Sequence, residues 1–214
     1  MTNTSDQSPT TTRGGRRRRG FLIAAAIAVV AAGGAGVAAT SAWNTGAMTS
    51  GVDSSDVHIT VDLSQRKLYL RNGDDDVQTF DVAVGSPAHP TPQGHYMISK
   101  IVWNPQWVPP DSKWAQGKKA QAPGAPANPM KTVKMFLKEP DYYIHGTGEL
   151  ASLGQAESHG CVRMHPDDAY TVARYLMEHG GAPHDENFFY RVLHFRSQTK
   201  TVYLGNPVAV TVEE

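Results

Sequence analysis

Apolar and polar residues alternate from Val57 onward. In His58-Ile59-Thr60-Val61-Asp62-Leu63 every second side chain falls on one apolar face, the period of a half-buried strand. Lys67-Leu68-Tyr69-Leu70 repeats the pattern after a turn at Ser64-Gln65, and Asn72-Gly73 is a strong hairpin signal. Residues 78–84 and 94–98 predict two more strands around a Pro-punctuated loop, 86–93. Met135-Phe136-Leu137 and Tyr142-Tyr143-Ile144 read as short strands, the second running into His145. Beyond His165 the period changes. Pro166-Asp167-Asp168 opens a helix with acids in its first turn, Ala169, Val172, Ala173, Leu176 and Met177 recur at helical spacing, and Gly180-Gly181 ends it. Residues 188–195 fit helix or strand and are assigned to helix. Val202-Tyr203-Leu204 and Val208-Ala209-Val210 return to strand. About eight strands and one clear helix make the domain mainly β, a sandwich or barrel.

Two stretches stand outside this pattern. Residues 103–130 are rich in proline and hold Trp103, Trp107 and Trp114. A loop that long in a compact domain is usually functional. It reads either as a lid over a cleft, with Trp103 and Trp107 as walls, or as a loop packed down by its own aromatics. The N-terminus is the other exception. Residues 20–43 run without a charge behind the cluster Arg16 to Arg19. That is long enough to span a bilayer, with the arginines on the cytoplasmic side. Small-x-small patterns at 37–39 and 40–42 suit signal-peptidase cleavage, and Arg18-Arg19-Gly20-Phe21-Leu22 approximates a twin-arginine signal. The chain therefore divides into a basic tail (1–19), a signal peptide or transmembrane anchor (20–43), a linker (44–56) and a domain (57–214). The domain is expected outside the cytoplasm, at the membrane face, in the periplasm or in the cell wall.

Charge supports this division. The whole chain is formally neutral, but residues 1–50 carry five arginines against one aspartate, while the remaining 15 Lys and Arg face 19 Asp and Glu. A mildly acidic domain is poorly suited to nucleic acid, which needs clustered cations. The one cysteine, Cys161, cannot form an internal disulfide. It is either a small buried hydrophobe or a reactive group.

His145-Gly146-Thr147-Gly148 and Ser158-His159-Gly160-Cys161 each follow a predicted strand and lie 16 residues apart. A free thiol with a pKa near 8.5 needs a base or a nearby cation to act as a nucleophile at neutral pH. His145 and His159 can serve as the first and Arg163 as the second. Gly160 admits close backbone approach and, with Cys161, offers N–H groups to an acyl oxyanion. A zinc site competes for His145, His159, Cys161 and His165, but no CxxC or HExxH spacing accompanies them.

His145-Gly146-Thr147 followed by Ser158-His159-Gly160-Cys161-Val162-Arg163-Met164 closely resembles the signature of YkuD-type L,D-transpeptidases. Upstream, Thr91-Pro92-Gln93-Gly94-His95-Tyr96, Asn104-Pro105-Gln106-Trp107-Val108-Pro109-Pro110 and Asn128-Pro129-Met130 resemble further segments of that family, so the similarity covers about residues 57–179. The resemblance implies a β-rich catalytic domain acting on peptidoglycan without cofactor or metal. Cys161 matches the nucleophile and His145 the general base, with Ser158 and His159 in support. The Gly146 carbonyl orients His145, the Gly160 and Cys161 N–H groups form an oxyanion hole, and Arg163 holds a stem-peptide carboxylate. The implied partners are a donor tetrapeptide and an amine acceptor, giving 3→3 cross-links; with water as acceptor the same site is an L,D-carboxypeptidase. Residues 181–200 look inserted, and no separate wall-binding module is visible. A sortase would show a T-L-x-T-C strand, which is missing here. A non-catalytic wall-binding domain would not need Cys161.

Overall fold

The structure, a computed structural model, describes residues 56–214. The basic tail, the signal or anchor segment and all but the last residue of the linker lie outside the described residues. Among the described residues, no helix is long and apolar enough to cross a membrane.

The strands run in chain order as β1 (Val57–Asp62), β2 (Lys67–Asn72), β3 (Asp75–Asp81), β4 (Val84–Gly85), β5 (Gly94–Trp103), β6 (Lys131–Lys138), β7 (Tyr142–Gly146), β8 (Ala156–Ser158), β9 (Val162–Met164) and β10 (Lys200–Glu213). Two helices, α1 (Pro166–His179) and α2 (Glu186–His194), separate β9 from β10. The main sheet has the order β3-β2-β1-β10-β5-β6-β7-β9, and β4 and β8 form a separate parallel pair. The main sheet almost closes on itself. Ala83, two residues beyond β3, bridges Arg163 of β9 through reciprocal backbone hydrogen bonds of 2.9 and 2.8 Å. The class is mainly β and barrel-like, as the alternation predicts.

Strand periodicity sorts the side chains to two faces. Ile59, Val61, Ile101, Trp103, Met135, Ile144, Val162 and Met164 point into the main core, which α1 covers with Ala169, Val172, Leu176 and Met177. The alternate residues Val102, Phe136 and Tyr143 build a second, smaller cluster with Trp107 and Met130 on the opposite face. Cys161, in the loop between β8 and β9, packs against that smaller cluster.

The helix assigned to residues 188–195 forms as α2, and residues 181–200, which look inserted, bury its Phe189 and Val192 in the main core. Other expectations change. The last two predicted strands are one continuous β10. The Gly205-Asn206-Pro207 interruption is accommodated by a register shift between Tyr203 and Val208, where Pro207 needs no ladder N–H. Trp103 is no cleft wall: it is fully buried, edge-on to Tyr170, Phe188 and Phe189. Loop 103–130 is packed down and also walls a cavity, combining the two readings of it.

Candidate active site

Register and alternation bring the motif residues together. β7 and β9 pair in parallel with Ile144 opposite Val162 and His145 opposite Arg163. Ile144 and Val162 point into the core, so Tyr143, His145 and Arg163 share the other face, and Cys161 precedes β9 beside Tyr143. Cys161, His145, His159 and Arg163 line one cavity of about 740 Å³, walled by Trp107 and Trp114 of the loop.

His145 is almost fully buried, and its Nδ1 lies 2.8 Å from the Gly146 carbonyl oxygen. A carbonyl only accepts, so Nδ1 carries the proton and Nε2 keeps its lone pair. Burial lowers the His145 pKa to about 4, against the opposing effect of the Gly146 bond. The Cys161 residue is half-buried, but its sulfur is desolvated on the apolar cluster. Desolvation pushes the thiol up to about 11, although a Tyr143 backbone hydrogen bond and Arg163 pull the other way. The resting pair is therefore neutral thiol and neutral imidazole, not an ion pair. The thiol donates to the Asp141 carbonyl oxygen at 3.2 Å. The S–H is thus directed at the Asp141 carbonyl.

These shifts predict how the thiol alkylates. Only thiolate reacts with iodoacetamide, and a folded pKa of about 11 leaves little thiolate at neutral pH. The second-order rate is expected to rise about tenfold per pH unit from pH 7 toward 10. A plateau already at pH 7 would mean a preformed thiolate–imidazolium pair.

Gly160 needs its glycine. Its φ is +105°, and a Cβ there would lie 3.0 Å from the Tyr142 ring. Its N–H, however, is not free for an oxyanion as the resemblance implies. It donates to Ser158 Oγ at 3.1 Å, and that hydroxyl donates to the Cys161 carbonyl at 2.5 Å. Ser158, 1% exposed, thus ties the loop across its own turn. Among the described residues no protein acceptor takes the Cys161 N–H, which remains available. Ser158→Ala strands both partners and is expected to lower unfolding free energy by about 2 kcal/mol. Urea denaturation checks this, and an unchanged midpoint would mean that water replaces the hydroxyl.

The remaining motif residues have clear places. His159 stacks on Trp114 at 4.1 Å and lies 4.9 Å from His89. Partial burial and the neighbouring His89 lower its pKa, so it is poorly suited to carry charge. Arg163 donates to Glu149 at 2.5 Å. His165 lies away from the cavity and caps α1, accepting from the Asp167 N–H. Among the described residues no group of three or more His, Cys, Asp or Glu is arranged to hold a metal. Sequence reasoning missed Trp114, His89, Tyr142, Asp141 and Glu149, which belong to the site only through long-range contacts. Trp114 alone carried a signal, as an aromatic in an overlong loop.

A nearly closed β domain thus brings a lone thiol and a buried, tautomer-fixed imidazole to one cavity. The YkuD L,D-transpeptidase catalytic domain matches residues 56–210, and the chain belongs to that family. A Bacillus licheniformis protein named as the L,D-transpeptidase YkuD is 31% identical over 121 residues, covering 56% of this chain and 61% of that protein. The Escherichia coli protein ErfK/SrfK, also named as an L,D-transpeptidase, is 27% identical over 118 residues, covering 51% of this chain and 38% of its own length. These matches span about three-fifths or less of the relatives. Among solved structures, L,D-transpeptidase 3 of Mycobacterium tuberculosis is 16% identical with a TM-score of 0.48, covering 75% of this chain and 62% of that one.

Proposed function

We propose that this chain is an L,D-transpeptidase that acts on peptidoglycan stem peptides through a Cys161 thioester and forms 3→3 cross-links. The observation that carries the reading is that Cys161 and His145, whose Nδ1 is held by the Gly146 carbonyl, line one cavity. Cys161 Sγ attacks the carbonyl carbon of the third residue in a tetrapeptide stem, and its proton passes to His145 Nε2. The developing oxyanion lies against the Cys161 N–H. As the C–N bond breaks, His145 returns the proton to the departing D-Ala amine, leaving the thioester. An amine of a neighbouring diamino-acid side chain then attacks, gives its proton to His145, and expels the Cys161 thiolate, which recovers that proton. The uncharged segment 20–43, behind its arginines, supports export and association with the extracytoplasmic membrane face.

Incubating residues 44–214 with a disaccharide-tetrapeptide and following products by mass spectrometry tests the reading. A dimer formed with loss of one D-Ala is expected. Tripeptide alone would make the enzyme an L,D-carboxypeptidase. No product, with binding to peptidoglycan retained, would make it a wall-binding domain.

A further inference from the structure

Arg163 and Glu149 form an asymmetric pair. The Arg163 side chain is 14% exposed and fixed in the β7–β9 register opposite His145, whereas the Glu149 side chain is 66% exposed. The Glu149 backbone is held: its N–H donates to Thr147 Oγ1 at 3.1 Å, and its carbonyl accepts from the Ser152 hydroxyl at 2.6 Å and the Ser152 N–H at 3.0 Å. Only the carboxylate arm is free to swing. Both residues line the cavity of Cys161 and His145.

The other cations of that cavity, Lys118 and Lys119, are solvent-exposed and distinguish an anion from a neutral group weakly. Arg163 is the desolvated one, and its planar fork suits a carboxylate. Glu149 already takes one arm of that fork, through Nη1.

We propose that Glu149 is a specificity residue: its carboxylate holds the place of a substrate carboxylate on Arg163, and a donor binds by exchanging its own carboxylate for it. The site then selects stem peptides with a free side-chain carboxylate on the third residue over those carrying its amide, which cannot replace Glu149 on a guanidinium. Glu149 also keeps Arg163 paired in the empty site, where an uncompensated charge would be unfavourable. The competent fraction is the fraction with Glu149 swung away, so apparent affinity falls by that fraction. This inference rests on the stem-peptide reading above.

Binding is measured by calorimetry on the Cys161→Ala form of residues 44–214, so no turnover is needed. The ligands are a tetrapeptide donor with a free side-chain carboxylate on its third residue and the same peptide as the primary amide. The free acid is expected to bind about tenfold tighter than the amide, the scale of one charge-assisted pair in a partly desolvated site. Glu149→Gln should tighten the free acid about three- to fivefold by removing the competitor, with the amide unchanged within about twofold. Arg163→Lys keeps the charge without the fork and should reduce the preference, and Glu149→Gln added to it should have no further effect. With the Cys161 thiol present, Glu149→Gln should lower KM for the free acid and leave kcat unchanged. Equal binding of the two peptides, no binding of either, or weaker binding of the free acid after Glu149→Gln overturns the proposal. Failure of the wild-type enzyme to turn over either peptide, with the binding preference intact, overturns the transpeptidase reading instead.

Discussion

Cys161→Ala is expected to abolish acylation, lowering kcat/KM by at least about 10³-fold. The chain has no second thiol to substitute. The hydroxyl of the same turn, Ser158, is committed to the Cys161 carbonyl and the Gly160 N–H. Intact-protein mass spectrometry after brief mixing with donor should show the thioester adduct on wild type and none on the variant. His145→Gln is expected to lower the rate by about 10²–10⁴-fold, the range for a positioned general base. The two losses should not add, because each removes the same proton-transfer unit. Burial lowers the His145 pKa to about 4, so the imidazole is a free base through the neutral range and loses that role only as pH falls toward about 4. Activity should therefore hold between pH 6 and 8 where an unshifted imidazole, with a pKa near 6.5, would show its acid limb. An acid limb centred near 6.5 would mean that His145 is hydrated in the working enzyme. An adduct on the Cys161→Ala variant would remove the thiol from the mechanism altogether.

The legible part of this chemistry was the part written in local periodicity. Alternation in Tyr143-Ile144-His145 and Val162-Arg163-Met164 places Ile144, Val162 and Met164 in the core, so His145 and Arg163 must face the other way. The His145–Gly146 hydrogen bond, drawn from family resemblance, is present at 2.8 Å. What was hidden depends on how the loop folds and on contacts between residues distant in sequence. The partner of the Gly160 N–H is a side chain two residues away, and only the folded loop decides whether that N–H is spent. The parallel pairing of β1 with β10 joins the two ends of the domain, beyond the reach of any local pattern. Among the tryptophans of loop 103–130, composition could not say which faces the cavity. The strand period does so at one end, because Val102 faces the small cluster and Trp103 must therefore face the main core. Trp114 reaches the site by stacking on His159, a contact between segments 45 residues apart.

Trp103→Ala should give the largest stability loss of any single substitution considered for the domain. The ring is fully buried where β5, α1 and α2 converge: Tyr170 of α1 lies 5.6 Å away edge-on, and Phe188 and Phe189 of α2 lie at 6.3 and 6.0 Å. Its indole N–H donates to Met177 Sδ at 3.3 Å. Removing it deletes the transfer free energy of the ring and leaves a cavity that three elements cannot jointly close. The expected loss is about 4 kcal/mol, equivalent to a fall in Tm of about 10 °C for a domain of this size. Trp103→Phe keeps most of the packing and should cost about 1–2 kcal/mol. Calorimetry under reversible conditions measures both. Trp107 and Trp114 supply the contrast, since both line the cavity and neither contributes to the main core. Trp114→Ala should leave Tm within a few degrees, because only a partly exposed ring is removed, and raise KM by exposing the His159 face of the cavity. If Trp103→Ala melts within about 3 °C of wild type, less than 1–2 kcal/mol has been lost, and α2 is not anchored through this residue. The aromatic cluster would then be a surface dressing on the barrel, and residues 181–200 could be removed without unfolding it.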